Sequence, residues 1–220
     1  MADPGIDISS RLTFQEEERW HRNYRSTPRA LREEVKSKYR EVATHPHGEY
    51  HFHTGRRLAR RLGYRDSVVD AMPDSAVESF AGVANPFSLR ALQEGERIVD
   101  AGSGGGFDCF IAASQVGRGG RVVGVDMLEE MLSRSRAAAR DMDLQNVEFR
   151  EGLIEEMPVE DGWADVVVSN GVINLCADKR RAFQEIWRVL RPGGFLQFAD
   201  IANGKPVPES ALRNIDLWTA

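Results

Sequence analysis

Cysteine is scarce in this 220-residue chain: Cys109 and Cys176 are the only two, far apart and in no ligand-type spacing. Their scarcity excludes a disulfide framework and a cysteine zinc site, and it suits a reducing compartment. Long apolar runs are missing as well. No stretch approaches the roughly 18 residues of a membrane span, and the opening Met-Ala-Asp-Pro-Gly lacks the basic and then apolar pattern of a secretion signal. The expectation is a soluble, cytoplasmic protein with no membrane partner. Internal repeats and low-complexity tracts are absent, while 41% hydrophobic residues suffice for a core, so disordered and fibrous classes are excluded. The most uneven scarcity concerns two residue types. All five histidines (His21, His45, His47, His51, His53) and all four tyrosines (Tyr24, Tyr39, Tyr50, Tyr64) precede residue 65.

Charge is uneven too. Within the net charge of -5, residues 11–65 hold 14 Lys+Arg against 7 Asp+Glu and residues 66–220 hold 15 against 25, the remaining two acids being Asp3 and Asp7. The basic front is interleaved with Glu16, Glu17, Glu18, Glu33 and Glu34, as on a solvated helix face, and no nucleic-acid motif accompanies it. No nucleic-acid partner is expected.

Periodicity and punctuation divide the chain in two. In residues 1–89, Thr27 as N-cap and Pro28 at the first helical position open a helix whose stripe is Leu31, Val35, Tyr39 and Val42. It should end before Pro46. Shorter helices are expected at Arg56–Leu62, from Asp66 or Ser67 to near Pro73, and at Ser75–Phe80, followed by the loop Ala81–Pro86. Residues 90–220 alternate short β-branched runs (97–101, 121–126, 147–150, 164–169, 195–201) with helices at about 105–116, 128–141 and 179–190. This alternation predicts an α/β fold: a doubly wound parallel sheet with helices on both faces.

The sharpest motif is Val99-Asp100-Ala101-Gly102-Ser103-Gly104-Gly105-Gly106-Phe107-Asp108, between an expected strand and an expected helix. Glycines there allow a tight turn and a close backbone approach to a ligand. Asp126, 20 residues past Gly106, ends the next strand, where a carboxylate can accept both hydroxyls of an adenosine ribose. Together they predict a nucleoside site. The spacing is G-x-G-x-G after an acid rather than the G-x-G-x-x-G of dehydrogenases, so a nicotinamide cofactor ranks below another nucleoside.

These residues resemble the class I S-adenosylmethionine-dependent methyltransferases, with Asp100-x-Gly102-x-Gly104-x-Gly106 and Gly124-Val125-Asp126-Met127 as the first two motifs. Glu151 to Pro158 looks like the adenine-contacting segment, Val166 to Asn170 like the fourth strand, and Arg191-Pro192-Gly193-Gly194 like the turn before the fifth. The resemblance implies S-adenosylmethionine as cofactor, leaving S-adenosylhomocysteine as product, and a small-molecule methyl acceptor. It implies Asp100 near the methionine ammonium, Gly102, Ser103, Gly104, Gly106 and Asp108 around the methionyl and ribose parts, and Asp126 on the ribose. Met127 would pack on the adenine, with Leu153, Ile154 and Glu155 at its edge; many relatives carry an acid where Leu153 stands. Asn170 would lie beside the sulfonium, with a plain strand-end turn as its alternative role.

Within that family the core is most similar to the arsenite methyltransferases, through Gly102 to Asp108 and Ser169-Asn170-Gly171-Val172-Ile173-Asn174-Leu175. Those enzymes carry cysteines in a Gly-Cys-Gly-Ser-Pro loop and in Ser-Asn-Cys-Val. Here the matching positions are Val83 and Gly171. A soft metalloid needs soft thiolates, which argues against arsenite as acceptor and leaves a metalloid-methylating relative as the alternative. Cys109 and Cys176 read as small buried hydrophobes.

An activated methyl group needs alignment, exclusion of water and, for some acceptors, a base. Since the sheet region has no histidine or tyrosine, His51 and His53, on one face of an extended His45–His53 segment, are the base candidates in a helical lid. A two-ligand metal site and a solvated loop are the alternatives, and no further metal ligand is identifiable. Only 19 residues follow Ile201, and Glu209–Trp218 looks helical, so the sheet is expected to lack its last strands. The chain is then a fragment, or a homo-oligomer covers the strand edge. A cofactor-binding but inactive module is the alternative of another class.

Overall fold

The structure, a computed structural model, describes residues 28–45, 48, 53–202 and 204. Part of the expected lid, His51 and the expected helix Glu209–Trp218 lie outside the described residues.

Helix α1 (Pro28–Thr44) begins at the proline, whose missing N–H costs nothing in a first turn, and buries the expected stripe through Leu31, Val35 and Val42. Short helices α2 (Gly55–Arg61), α3 (Asp66–Ala71) and α4 (Asp74–Val77) follow. The expected helix at Ser75–Phe80 is thus a single turn. It stops because Phe80 turns into the core, where its ring meets Phe107 at 4.4 Å between centroids, while its carbonyl accepts from Gly55 N at 2.9 Å.

The sheet comprises β1 (Arg97–Ala101), β2 (Arg121–Asp126), β3 (Val147–Glu151), β4 (Ala164–Asn170) and β5 (Leu190–Ala199), all parallel, in the order β3-β2-β1-β4-β5. Helices α5 (Phe107–Val116), α6 (Glu129–Asp141) and α7 (Lys179–Val189) connect them. Strand alternation divides the core. Ile98, Val122, Val166 and Val168 point to a cluster shared with α5, α6 and the segment Ala59–Phe80, whereas Val99, Val123, Val125 and Val167 point to a cluster shared with α7. Each fully buried valine or isoleucine contributes about 1.5–3 kcal/mol. The amino-terminal helices therefore complete one face of the core.

The Arg191–Gly194 turn is absorbed into β5 rather than preceding it. Leu190 pairs with Ala164 and Phe195 with Val166, so the register shift takes up the Pro-Gly-Gly residues as an irregularity in the strand. The chain winds from β1 out to β3 and then returns to β4 beside β1. This reversal is a topological switch point, with its crevice at the carboxyl ends of β1 and β4. Ser169 Oγ donates to the Ala101 carbonyl at 2.9 Å and ties those two strand ends together. Among the described residues no helix is long and apolar enough to cross a membrane.

Candidate functional site

The glycine loop leaves β1 with Gly102, Gly104 and Gly106 all at positive φ, +84°, +51° and +90°. A Cβ on Gly102 would stand 2.5 Å from Val172 Cγ1, and one on Gly106 would stand 2.8 Å from Phe110 Cζ and 3.0 Å from both Phe149 Cζ and Ser135 Cβ. Gly102 thus packs against the turn after β4, and Gly106 lets α5 settle on the sheet. Asp126 holds the loop from the neighbouring strand. Its Oδ2 accepts from Gly104 N and its Oδ1 from Leu128 N, both at 2.9 Å.

The crevice opens into a cavity of about 1090 Å³ when the open solvent at its mouth is included. Asp100, Gly102, Ser103, Gly104 and Asp108 form its floor. Asp126, Met127, Leu153, Ile154 and Glu155 form one end, and Asn170 stands at the other strand of the switch point. Gly106 lies behind the floor as a packing residue. The segment 153–159 is secured by buried Glu185, which accepts from Met157 N at 3.0 Å and from Arg188 at 2.7 Å, while Arg188 donates to the Met157 and Val159 carbonyls at 2.9 and 2.7 Å.

Helix α1 closes over this end. Arg32, Val35 and Tyr39, spaced along one face, line the cavity. Arg32 pairs with Glu155 at 3.4 Å, Arg40 pairs with Glu130 at 2.6 Å, and Arg134 donates to the Ala43 carbonyl at 3.0 Å. Burial, with the charges of Asp126 and Asp200, pushes the Tyr39 hydroxyl up to about 12.

The floor is strongly acidic. Burial raises Asp100, Asp108 and Asp126 above the ordinary carboxylate range, and the charge of Asp108 raises Asp100 further. A cavity with three such carboxylates fits a cationic ligand. Ser103 Oγ and Ser79 Oγ are buried in its wall with no hydrogen-bond partner among the described residues, and Ser79 Oγ is packed on the loop, where a Cβ on Gly105 would stand 2.4 Å from it. A nucleoside cofactor carrying positive charge fits these residues.

Two of the expected site residues take the following places. Asn170 lines the cavity, with its amide hydrogen-bonded to protein partners. Oδ1 accepts from Val83 N at 2.8 Å and Ala84 N at 3.2 Å, while the two protons of Nδ2 are shared among the Ala84 carbonyl at 2.9 Å, Asp108 Oδ2 at 3.0 Å and the Tyr64 hydroxyl at 3.2 Å. His53 is exposed and absent from the cavity wall. Residues that sequence reasoning missed are Arg32 and Ser79, while Tyr64 and Phe80 read there as packing first and as pocket residues second. Arg32 shares a helix face with the recognised stripe, whereas nothing local marks Tyr64 or Ser79.

The loop positions discussed above face one another: a Cβ on Gly171 would meet Val83 Cγ1 at 3.0 Å. Both thiols lie elsewhere. Cys109 donates to Asp100 Oδ2 at 3.2 Å beneath the floor, and Cys176 lines the cavity. Burial raises both, Cys176 to about 12, so neither is a thiolate at neutral pH. Among the described residues no group of three or more His, Cys, Asp or Glu side chains could hold a metal ion.

A parallel doubly wound sheet with a glycine-floored, acid-lined cavity at its switch point defines a nucleoside-binding α/β domain of the Rossmann-like class. A profile of the methyltransferase domain matches residues 92–218, and the chain belongs to that family. The arsenite methyltransferase of Halobacterium salinarum is 43% identical over 161 residues, which cover 73% of this chain and 41% of that protein. The demethylmenaquinone methyltransferase of Listeria welshimeri is 32% identical over 112 residues, 51% of this chain and 48% of that protein. Among solved structures, an arsenic(III) S-adenosylmethionine methyltransferase from Chlamydomonas reinhardtii matches with a TM-score of 0.57 at 35% identity, covering 75% of this chain and 56% of that one. The chain spans less than half the length of both curated relatives.

Proposed function

We propose that the chain transfers a methyl group from S-adenosylmethionine to a small-molecule acceptor. The observation that carries this reading is the convergence of six separate segments of a methyltransferase-family chain on one acidic cavity at the switch point. Asp100, Gly102, Ser103, Gly104, Asp108 and Asp126 are the residues that would hold the ribose and amino-acid parts of the cofactor, with Met127, Leu153, Ile154 and Glu155 around the adenine. The cofactor supplies an activated methyl group on a sulfonium. The protein's part is alignment and exclusion of water, and α1 with its three ties to the core covers the cavity for that purpose.

Residues 1–89 serve in this reading as the acceptor-facing cover, and residues 90–220 as the cofactor domain. A small molecule not held by thiolates is the favoured acceptor, because Val83 and Gly171 offer an apolar contact and both cysteines are buried and protonated. The relatives' names keep a metalloid in second place. Two buried free thiols support a cytoplasmic setting. Strand β5 ends the sheet among the described residues, with Phe195 and Phe198 half exposed, which supports a second copy pairing along that edge. Sedimentation of the purified chain tests this pairing, and a monomer at micromolar concentration rejects it.

Calorimetric titration with S-adenosylmethionine and S-adenosylhomocysteine, with NADH as control, tests the central proposal. Saturable binding of the first two alone is expected. Binding of NADH instead, or of none, rejects it.

A further inference from the structure

Tyr64 belongs to no motif, yet its side chain joins the two loops that meet over the floor of the cavity. It follows α2 and Gly63, is 5% exposed, and sets its ring edge-on to Phe80 (5.5 Å between centroids, 82°) and Phe107 (5.0 Å, 67°). Packing therefore fixes where the hydroxyl sits. That hydroxyl has one proton and two acceptors within reach, Asp108 Oδ1 at 2.6 Å and the Ala84 carbonyl at 3.2 Å, and the shorter, charge-assisted contact takes it. Its oxygen in turn accepts from Asn170 Nδ2 at 3.2 Å.

Asp108 stands in the first turn of α5, on the floor of the cavity, and its two oxygens are divided between Tyr64 and Asn170. Asn170 is simultaneously clamped to the backbone of Val83 and Ala84. A closed network thus runs from the glycine-loop helix through Asp108 and Tyr64 to Asn170 and the Gly82–Ala84 loop. A Cβ on Gly82 would stand 2.4 Å from Asn170 Nδ2, so that loop is pressed directly against the network.

We propose that Tyr64 is a positioning residue of the transfer site, holding Asp108 ionised and Asn170 in place so that the cofactor floor and the acceptor-side loop form one unit. This inference rests on the methyltransferase reading above. It assigns to the amino-terminal helices a part in building the site, beyond covering it. The other groups facing Asp108 are Asp100 at the end of β1 and, on its own helix, the Cys109 thiol that donates to Asp100; Asp126 lies further along the floor. None of the three donates to Asp108, so its ionised form depends on Tyr64 and Asn170.

Tyr64→Phe deletes the hydroxyl and keeps the ring. Affinity for S-adenosylmethionine is to be measured by calorimetry from pH 5 to pH 9 in the wild-type chain and the variant, with amide exchange at Val83 and Ala84 followed by NMR. Ionised Asp108 favours a cation, so affinity falls as pH drops through its titration. Losing one charge-assisted hydrogen bond should move that acid limb upward by about one pH unit. Exchange at Val83 and Ala84 should speed up at least ten-fold. A merely structural role would lower stability without moving the limb, and an unmoved limb overturns the proposal. If Tyr64→Phe does not fold, Asn170→Ser, which removes the other donor to Asp108, must move the limb the same way, and an unmoved limb there is equally decisive. A wild-type chain that binds no S-adenosylmethionine at any pH defeats the methyltransferase reading itself, which is a separate outcome.

Discussion

The two walls of the cavity are made of different material. On the β1–β2 side, the ligand surface is largely backbone: a run of glycines held by one carboxylate, from residues that lie close together in the sequence. On the opposite side, from α1 through Gly82 to Asn170, it consists of side chains brought together over long separations, and Asn170 is held from behind by Tyr64, 106 residues away. A backbone wall tolerates no added atom at Gly102, Gly105 or Gly106 but needs few particular side chains. A side-chain wall tolerates small changes at each position and fails only where a buried polar group loses its partner.

The sharpest break of this contrast is Gly102→Ala. A Cβ there meets Val172 Cγ1 at 2.5 Å on a backbone at φ +84°, so steric overlap and left-handed strain act together. Denaturant unfolding should show a loss of roughly 2–5 kcal/mol, and cofactor affinity should fall by more than about a hundred-fold as the floor shifts. Adding Val172→Ala should return only the overlap part, roughly 1–3 kcal/mol. Complete recovery would mean that the backbone conformation carries no cost and that the wall is less rigid than described.

Asp126→Ala comes next. It removes the acceptor for Gly104 N and Leu128 N and the group read to hold the ribose, so affinity should drop roughly ten- to hundred-fold. Thermal unfolding should remain cooperative, since Asp126 anchors a loop and not the sheet. Unchanged affinity in calorimetry would remove Asp126 from the site.

Asp100→Asn tests the charge of the floor. The folded-state pKa of Asp100 is raised from 3.8 to about 8, first by burial and then by the charge of Asp108. A raised value means that the group's contribution to stability is full below pH 4 and is lost as pH rises towards 8. Asp108 acts in the same direction. The empty wild-type chain should therefore melt at progressively lower temperature between pH 4 and pH 8, and Asp100→Asn should flatten that slope while weakening S-adenosylmethionine binding. A slope identical to wild type would show that Asp100 is ionised at little cost.

How much of this was readable in the sequence follows the same division. The positions of β1, β2 and β4, the helix at Pro28 and the glycine loop came out within a residue or two, because periodicity and glycine punctuation are local signals. The acid-and-glycine floor was legible for the same reason. The absorbed turn in β5 was not, because a strand irregularity depends on the neighbour's register. The bonding of Tyr64 was not legible, since its partners are Asp108, 44 residues later, and Asn170 on another strand. The histidine-rich segment attracted attention through composition, which reports chemistry available without reporting where it points.

His53→Ala sharpens that last point and should have the smallest effect of all. The side chain is exposed, lies off the cavity wall and precedes α2 without capping it. Surface substitutions of this kind change stability by no more than about 0.5 kcal/mol. Cofactor affinity should remain within two-fold of wild type, and turnover, once an acceptor is identified, should be unaltered. A variant that binds the cofactor normally but loses more than about ten-fold in turnover would mean that an imidazole at position 53 reaches the acceptor during the reaction. Tyr64 and His53 lie in the same amino-terminal segment, 11 residues apart, so measuring the two variants side by side asks whether that segment serves the site by holding buried groups or by supplying a base.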